Sequence, residues 1–257
     1  MIGCDCAVCS STDPRNARTR SSVLVEWGGK SVLIDTATEL RLQARRMNVR
    51  RVDAILFTHA HADHICGLDD VRRFNDLQQS SIPCFGNQAT LDALARQFWY
   101  AFAQTQLGGG KPRLELVSVS PEAPFEVFGL PVIPIPVLHG DLPILGYRLG
   151  SFAYITDCSR LPDESLALLA DLDLLVLDAL RWRPHPTHFS IEEALAVVRA
   201  ARPRRTLFTH IAHDLDHDAT NLALPTDVAL AYDGLVVDLA TEPIKPRSGD
   251  AATLLGR

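Results

Sequence analysis

A dense group of metal-binding residue types occupies the segment His59-Ala60-His61-Ala62-Asp63-His64. Imidazoles and carboxylates are ligands that suit zinc, manganese and iron. His59 and His61 are two residues apart, so in an extended segment their side chains project to the same side. The apolar run 53–58 directly before them predicts a buried strand. The spacing therefore predicts a metal site at the carboxyl end of a strand rather than a solvated polar loop.

Three further polar residues, His139, Asp157 and His210, each follow an apolar run later in the chain. Those runs are 131–138, 152–156 and 205–209. Each residue alone is typical of an ordinary polar side chain at a strand end. Their recurrence, together with the first segment, predicts that all of them converge if two sheets stack with these ends at one edge.

The pattern of apolar residues and turn formers predicts strands that alternate with helices. Strands are predicted over 22–27, 31–35, 53–58, 82–85, 114–119, 125–128, 130–138, 146–149, 152–156, 172–178 and 205–209. Helices are predicted over 39–47, 87–98, 162–169 and 190–201. Asn87 is suited to an N-cap, and Ser190 with Glu193 to a capping box. This order predicts an α/β (α+β) protein with two stacked sheets covered by helices.

The domain organisation follows from length and hydropathy. The 257 residues suit one domain over 1–241, with a polar, aperiodic tail over 242–257 that we expect to be loosely ordered. The glycine-rich segment 104–112 predicts a mobile loop.

No stretch approaches the ~18 apolar residues of a membrane span, and the start has no apolar signal core, so the cytoplasm is the expected compartment.

Charge and cysteine content narrow the range of partners. The formal net charge is −6 and no run of Lys or Arg exceeds a pair, so we expect no long nucleic acid and no membrane as partner. A small phosphorylated substrate is expected instead, since bound metals supply positive charge locally. In the cytoplasm, six cysteines indicate metal ligands or isolated thiols rather than disulfides.

The ordered set of His/Asp residues resembles the ligand series of the metallo-β-lactamase superfamily, over nearly the whole chain. The resemblance implies an αββα sandwich of two stacked mixed sheets flanked by helices. It also implies that His59, His61 and His139 hold one metal. Asp63, His64 and His210 would hold a second, and Asp157 would bridge both.

Three cysteines lie close together near the start, as Cys4-x-Cys6-x-x-Cys9, and His213 lies three residues after His210. These two features resemble the PhnP-like branch, the phosphoribosyl 1,2-cyclic phosphate phosphodiesterases. The resemblance implies a structural zinc held by Cys4, Cys6, Cys9 and His213, and a closed three-Cys, one-His tetrahedron suits such a site. It also places His188 near the substrate phosphate. Members usually carry a strand before the cysteine cluster, whereas only Met1-Ile2-Gly3 precede Cys4, so we expect either that this first strand is missing or that the chain start has been placed late.

The implied activity is that of a metal-dependent phosphodiesterase with two active-site ions, Zn²⁺ or Mn²⁺, whose bridging hydroxide attacks phosphorus. Asp63, Asp157 and His188 are the candidate catalytic residues, with His188 or a metal-bound water protonating the leaving group. Asp35 either orients a ligand of the first segment or only caps a hairpin. The substrate is expected to be a small cyclic phosphate or a nucleotide-sized phosphodiester, and a homodimer is left open.

Alternatives remain at this point. An RNA-processing nuclease of the same superfamily would need a basic gripping surface. A second alternative is a non-catalytic metal-binding or carrier protein related to those of pyrroloquinoline quinone synthesis, but such a protein would be expected to lack some of the metal ligands that this chain has. A third alternative is a lactamase or thioesterase, which would not explain the N-terminal cysteine cluster. The aromatic segment with Trp99, Tyr100 and Phe102 either roofs the pocket or packs on the core. His185 and His217 are expected to be solvent-exposed.

Overall fold

The computed structural model describes residues 1–104, 110–239 and 251–254. Its strands are β1 Val23–Trp27, β2 Lys30–Ile34, β3 Ala54–Leu56, β4 Ile82–Gly86, β5 Leu114–Ser118, β6 Phe125–Val127, β7 Leu130–His139, β8 Leu142–Leu149, β9 Phe152–Ile155, β10 Leu174–Asp178, β11 Thr206–Thr209, β12 Val228–Leu230, β13 Val236–Asp238 and β14 Ala251–Leu254. Its α-helices are α1 Leu40–Arg46, α2 Ala62–Ile65, α3 Arg72–Gln78, α4 Gln88–Gln97, α5 Trp99–Phe102, α6 Asp163–Ala167, α7 Ile191–Ala201 and α8 His217–Ala223.

The strands form two mixed sheets of seven strands each. The first runs in the order β13-β14-β1-β2-β3-β4-β5 and the second in the order β12-β11-β10-β9-β8-β7-β6. β2, β3, β4 and β5 are mutually parallel, as are β9, β10, β11 and β12. β7 is antiparallel to β8, which is antiparallel to β9, so β7 and β9 point the same way. The carboxyl ends of these parallel strands therefore meet at one edge of their sheet.

Three hydrophobic clusters define the layers. Apolar side chains of both sheets, such as Val25, Ile34, Tyr147 and Val176, pack together between the sheets. Separate clusters lie outside the first sheet under α1, α3 and α4, and outside the second sheet under α6 and α7. This helix–sheet–sheet–helix arrangement confirms the predicted αββα sandwich.

Local signals set the helix starts that the sequence predicted. The Asn87 side chain accepts a hydrogen bond from Thr90 N at 2.8 Å and caps α4. Ser190 and Glu193 form the predicted capping box of α7. The short helices α2, α3 and α8 were not predicted, because charged and polar residues dominate their sequences and leave no apolar periodicity.

The C-terminal segment differs in part from the predicted loose tail. Residues 251–254 pair antiparallel with β1 and with β13 as strand β14. Pairing with β14 provides hydrogen-bond partners for the backbone N–H and C=O groups at the edge of β1. A polar, aperiodic sequence does not reveal this pairing. The other residues of the predicted tail, and 105–109 of the predicted loop, lie outside the described part of the chain. Among described residues, no helix is both long and apolar enough to cross a membrane.

A close backbone approach holds the segment that carries the first histidines. Gly67 N donates to Thr36 O at 3.0 Å, and a Cβ at Gly67 would lie 2.2 Å from Ala37 O and 2.8 Å from Leu40 Cβ. Only glycine lets the chain after α2 pass this close to the start of α1.

Gly67→Ala is expected to destabilise the fold by about 1–3 kcal/mol, because the added methyl group must push backbone atoms apart. Urea unfolding followed by circular dichroism measures the change. Gly110→Ala, where a Cβ meets nothing within 4 Å, is the control and is expected to stay within about 0.5 kcal/mol. Equal stability of the two variants would contradict this account.

Candidate metal centre

The structure brings all seven predicted active-site ligands to one edge of the sandwich. Two groups of ligand atoms, each with every atom within 4.8 Å of the others, share one member, Asp157. The first group comprises His59, His61, His139 and Asp157, and the second comprises Asp63, His64, Asp157 and His210. The division is the one that the family resemblance implied.

The Asp157 carboxylate lies between the two groups and turns one oxygen to each. Its Oδ2 is 3.8 Å from His59 Nε2 and 3.8 Å from His139 Nε2. Its Oδ1 is 3.1 Å from His64 Nε2 and 3.4 Å from His210 Nε2. A carboxylate in this position can contact two cations at once, which is the geometry of a bridging ligand.

Three site residues adopt the left-handed backbone conformation immediately beyond a strand. Asp35, Asp157 and His210 have φ of 60°, 52° and 56° and lie just past β2, β9 and β11. Asp and His are among the few residue types that tolerate this region. The sharp change of direction turns these side chains back over the sheet edge instead of along the strand, and such strained positions cluster at functional sites.

Most ligand imidazoles are fixed through the ring nitrogen that faces away from the site. His64 Nδ1 is 2.8 Å from Asp35 Oδ2, and His139 Nδ1 is 2.7 Å from Thr187 O. His59 Nδ1 is 3.0 Å from Thr58 Oγ1. These bonds leave Nε2 of each ring for a ligand, as in proteins whose metal-bound histidines are oriented by carboxylates or carbonyls.

Asp35 is fully buried and organises the first segment. Its carboxylate accepts hydrogen bonds from Thr58 N and Thr58 Oγ1, both at 2.8 Å, and meets His64 Nδ1. The β1–β2 turn lies at Gly28-Gly29, at the other end of β2. Of the two interpretations left open by the sequence, these contacts favour the orienting role.

The donor set has the charge distribution that divalent cations require. Burial lowers the pKa of His59 and of His139, so both imidazoles are neutral ligands at neutral pH. Burial would raise the pKa of Asp157, but the charges of His210 and His64 outweigh it and lower that pKa. Among the described residues, His64 Nε2 and His210 Nδ1 are buried without a hydrogen-bond partner, and His64 Nε2 faces Asp157 Oδ1 at 3.1 Å. A cation beside His64 Nε2 satisfies this otherwise orphaned atom, so these residues fit a metal.

His188 lies beside the two groups, and a residue that sequence reasoning missed holds it. Its Nε2 is 4.0 Å from Asp157 Oδ2, and its ring stacks on His210 at 4.8 Å. Its Nδ1 is 3.1 Å from Oδ2 of the buried Asp178, which also accepts from Cys158 N at 2.9 Å. Asp178 is the last residue of β10, so a polar residue at the end of an apolar run was again the available signal.

A second cluster of ligand types joins the N-terminal segment to the loop after β11. Cys4, Cys6, Cys9 and His213 have ligand atoms within 4.8 Å of one another. Cys4 Sγ and Cys6 Sγ each lie 3.4 Å from His213 Nδ1. The Cys9 backbone N–H and the His213 ring lower the pKa of Cys6 to about 6, which favours the thiolate that metals bind.

Other sequence expectations have mixed outcomes. Tyr100 donates to Asp69 Oδ1 at 2.7 Å, while Trp99 and Phe102 are exposed, so α5 is only partly packed on the core. His217, expected to be exposed, is buried, because it starts α8 and packs edge-on against Tyr232. His185 is only half-exposed and lies next to His188, with ring centroids 5.1 Å apart.

Comparison with known proteins identifies the family and the fold. The family described as the beta-lactamase superfamily domain matches residues 30–211. A crystal structure described as a new diphosphatase from the PhnP family is 46% identical, with a TM-score of 0.85, covering 91% of this chain and 89% of that one. A Zn²⁺-bound PqqB from Methylobacterium extorquens is 19% identical with a TM-score of 0.72, covering 93% of this chain and 95% of that one, and shows the fold alone.

Curated relatives are longer than the matched region. An octanoyltransferase of Porphyromonas gingivalis is 35% identical over 237 residues, which are 91% of this chain and 48% of that protein. A ribonuclease Z of Bradyrhizobium diazoefficiens is 31% identical over 145 residues, 54% of this chain and 46% of that one. The chain thus spans about half the length of the first curated relatives it matches.

These matches show that the chain belongs to the metallo-β-lactamase superfamily. Within that superfamily it falls in the PhnP-like branch.

Asp35→Asn is expected to weaken metal binding about 10–100-fold, since the amide turns an N–H rather than an oxygen toward His64 Nδ1. Competition with a chromophoric chelator measures the affinity. Asp53→Asn, a buried aspartate that pairs with Arg51 at the opposite end of β3, is the control and should change stability but not affinity. Unchanged affinity in the Asp35 variant argues against the orienting role.

Cys6→Ser is expected to remove one zinc equivalent per chain and to lower the unfolding temperature, since a structural site stabilises the segments it joins. Elemental analysis of the purified protein gives the stoichiometry. Cys66→Ser removes an exposed thiol outside the cluster and should leave zinc content unchanged. The cluster binds no zinc if both variants carry the same amount.

Proposed function

We propose that the protein is a binuclear metal-dependent phosphodiesterase acting on a small cyclic phosphate or a nucleotide-sized phosphodiester, in the cytoplasm. The observation that carries the proposal is the Asp157 carboxylate, whose two oxygens face two separate sets of ligands. The 46% identical relative described as a diphosphatase supports hydrolysis at phosphorus. The six free cysteines support a reducing compartment.

His59, His61, His139 and Asp157 would hold one divalent ion, and Asp63, His64, Asp157 and His210 the other. Zn²⁺ and Mn²⁺ both suit these ligands, and Cys4, Cys6, Cys9 and His213 suit a structural Zn²⁺. When bound, a pair of such ions activates water and withdraws charge from phosphoryl oxygens.

The chain's own residues supply orientation and proton transfer. Asp178 fixes the His188 ring at Nδ1, which leaves Nε2 on the side of Asp157. In its protonated form, with Nδ1–H donating to Asp178, His188 would donate a hydrogen bond from Nε2 to a substrate phosphate beside the metal ligands. Burial lowers the pKa of His188, so its protonated form is a stronger acid, able to give its Nε2 proton to the leaving oxygen.

A ribonuclease is the second candidate, and the tertiary structure gives a reason to test it. Five arginines that are scattered in the sequence line one cavity of about 540 Å³ outside the first sheet. They are Arg41, Arg45, Arg50, Arg72 and Arg73. Asp70 also lines the cavity, but the arginines leave an excess of positive charge, which attracts anions. The curated relatives named ribonuclease Z match parts of this chain. We favour the small substrate because the cavity lies away from the strand ends that carry the ligands.

The octanoyltransferase activity of the Porphyromonas relative is not carried over. The matched region covers 48% of that protein, so its name does not assign the transferase activity to the part that this chain matches. The His/Asp geometry at the sheet edge supports hydrolysis.

Asp157→Ala is expected to reduce turnover of bis-p-nitrophenyl phosphate to background, because neither set of imidazoles keeps its shared carboxylate. Metal-loaded wild type and variant are assayed by nitrophenolate release, with a cyclic nucleotide and a short structured RNA as further substrates. Asp92→Ala, on the exposed face of α4, is the control. Wild-type turnover in the Asp157 variant contradicts the proposal, and salt-sensitive cleavage of RNA alone favours the ribonuclease.

A further inference from the structure

The loop between β10 and α7 carries an imidazole that neither metal group uses. This loop, residues 179–190, is joined to the site at two points: Thr187 O accepts from His139 Nδ1 at 2.7 Å, and His188 lies against Asp157. His185 belongs to neither metal group, yet its ring lies 5.1 Å from that of His188. It is therefore the next imidazole outward from the proposed reaction centre.

Local hydrogen bonds fix the protonation of His185. Thr187 N donates to His185 Nδ1 at 3.3 Å, so Nδ1 is an acceptor and the proton of the neutral ring sits on Nε2. Within the described residues, His185 Nε2 has no hydrogen-bond partner. Burial, helped by His188 and Arg181, lowers the pKa of His185, which keeps the ring in this neutral, donating form at neutral pH.

Arg181 adds positive charge at the same place. Its Nε and Nη2 donate to Arg183 O and Pro184 O at 3.3 and 3.1 Å, which brace the loop, and Nη1 has no hydrogen-bond partner in the described part of the chain. Its charge acts on both His185 and His188. An imidazole N–H and a guanidinium beside a phosphate-binding residue make a site for a second anionic group.

We propose that His185, together with Arg181, binds a second phosphoryl group of the substrate, next to the one that His188 contacts. The preferred substrate class is then an ester of diphosphate rather than of a single phosphate. This inference rests on the proposed function, because it takes His188 as the residue at the reacting phosphorus. Hydrolysis would break the P–O bond to the bridging oxygen, with water supplying the new P–OH and the proton on the departing phosphate.

His185→Asn provides a sharp test. An asparagine carbonyl can accept from the backbone N–H two residues on, as the imidazole does now, but the shorter side chain has no outward N–H at the position of Nε2. Arg183→Gln is the matched control, since Arg183 lies on the same loop but pairs with Asp214 at 3.0 Å.

Binding is measured by calorimetry on the metal-loaded protein with adenosine 5′-(α,β-methylene)diphosphate and with AMP. Wild type is expected to bind the diphosphonate more tightly than AMP, and His185→Asn to lose about tenfold for the diphosphonate only, the effect of one hydrogen bond to a charged group. Equal affinity of wild type for the two ligands, or an equal change for both ligands in the variant, overturns the inference.

Turnover separates this inference from the proposed function. Diadenosine diphosphate and the dinucleotide adenylyl-adenosine differ in the number of phosphoryl groups between their nucleosides. A rise of about tenfold in KM for the former alone in His185→Asn supports the second subsite. If wild type hydrolyses neither these nor bis-p-nitrophenyl phosphate, the proposed function fails, while the calorimetric comparison still decides whether a second phosphoryl group binds.

Discussion

The burial of the Asp157 carboxylate among imidazoles is the constraint on which the rest of the site depends. An isolated buried carboxylate is costly, and so is a cluster of protonated imidazoles. The arrangement is tolerable only when the imidazole rings either stay neutral or offset the negative charge of the carboxylate. The rings must also be held in place by hydrogen bonds at the nitrogen that faces away from the site. The directions of the pKa shifts at His59, His139 and Asp157 follow from this balance. A divalent cation in each of the two groups would complete it.

The fold supplies that constraint through strand direction. Asp35, Asp157 and His210 all lie just beyond the carboxyl end of a strand and all turn back in the left-handed region. Buried strands make the edge rigid, and the strained residues aim side chains across it. Positions fixed in this way keep a metal-binding geometry that a flexible loop would lose.

The same edge is reinforced from two directions outside the metal groups. The thiol cluster with His213 ties residues 4–9 to the loop that begins at His210, so any metal bound there also restrains the active-site strand end. On the other side, the loop 179–190 supplies Thr187 O to His139 and carries His188 and His185. The residues that surround a substrate therefore depend on the residues that hold metals.

The ligand types and the strand ends that carry them could be read from the sequence, because short apolar runs and clustered histidines are local signals. The αββα fold was predicted for the same reason, with the family resemblance. The contact of Asp178 with His188, the role of the Thr187 carbonyl and the placement of His185 and His217 could not be read from the sequence. Each depends on contacts between residues distant in the chain or on which face of a loop turns inward. The arginine-lined cavity is of this kind as well: α1 and α3 become neighbours only when the first sheet forms. Sequence determined which groups are available for chemistry; tertiary structure decided which of them meet, because parallel strands bring their ends together regardless of their separation along the chain.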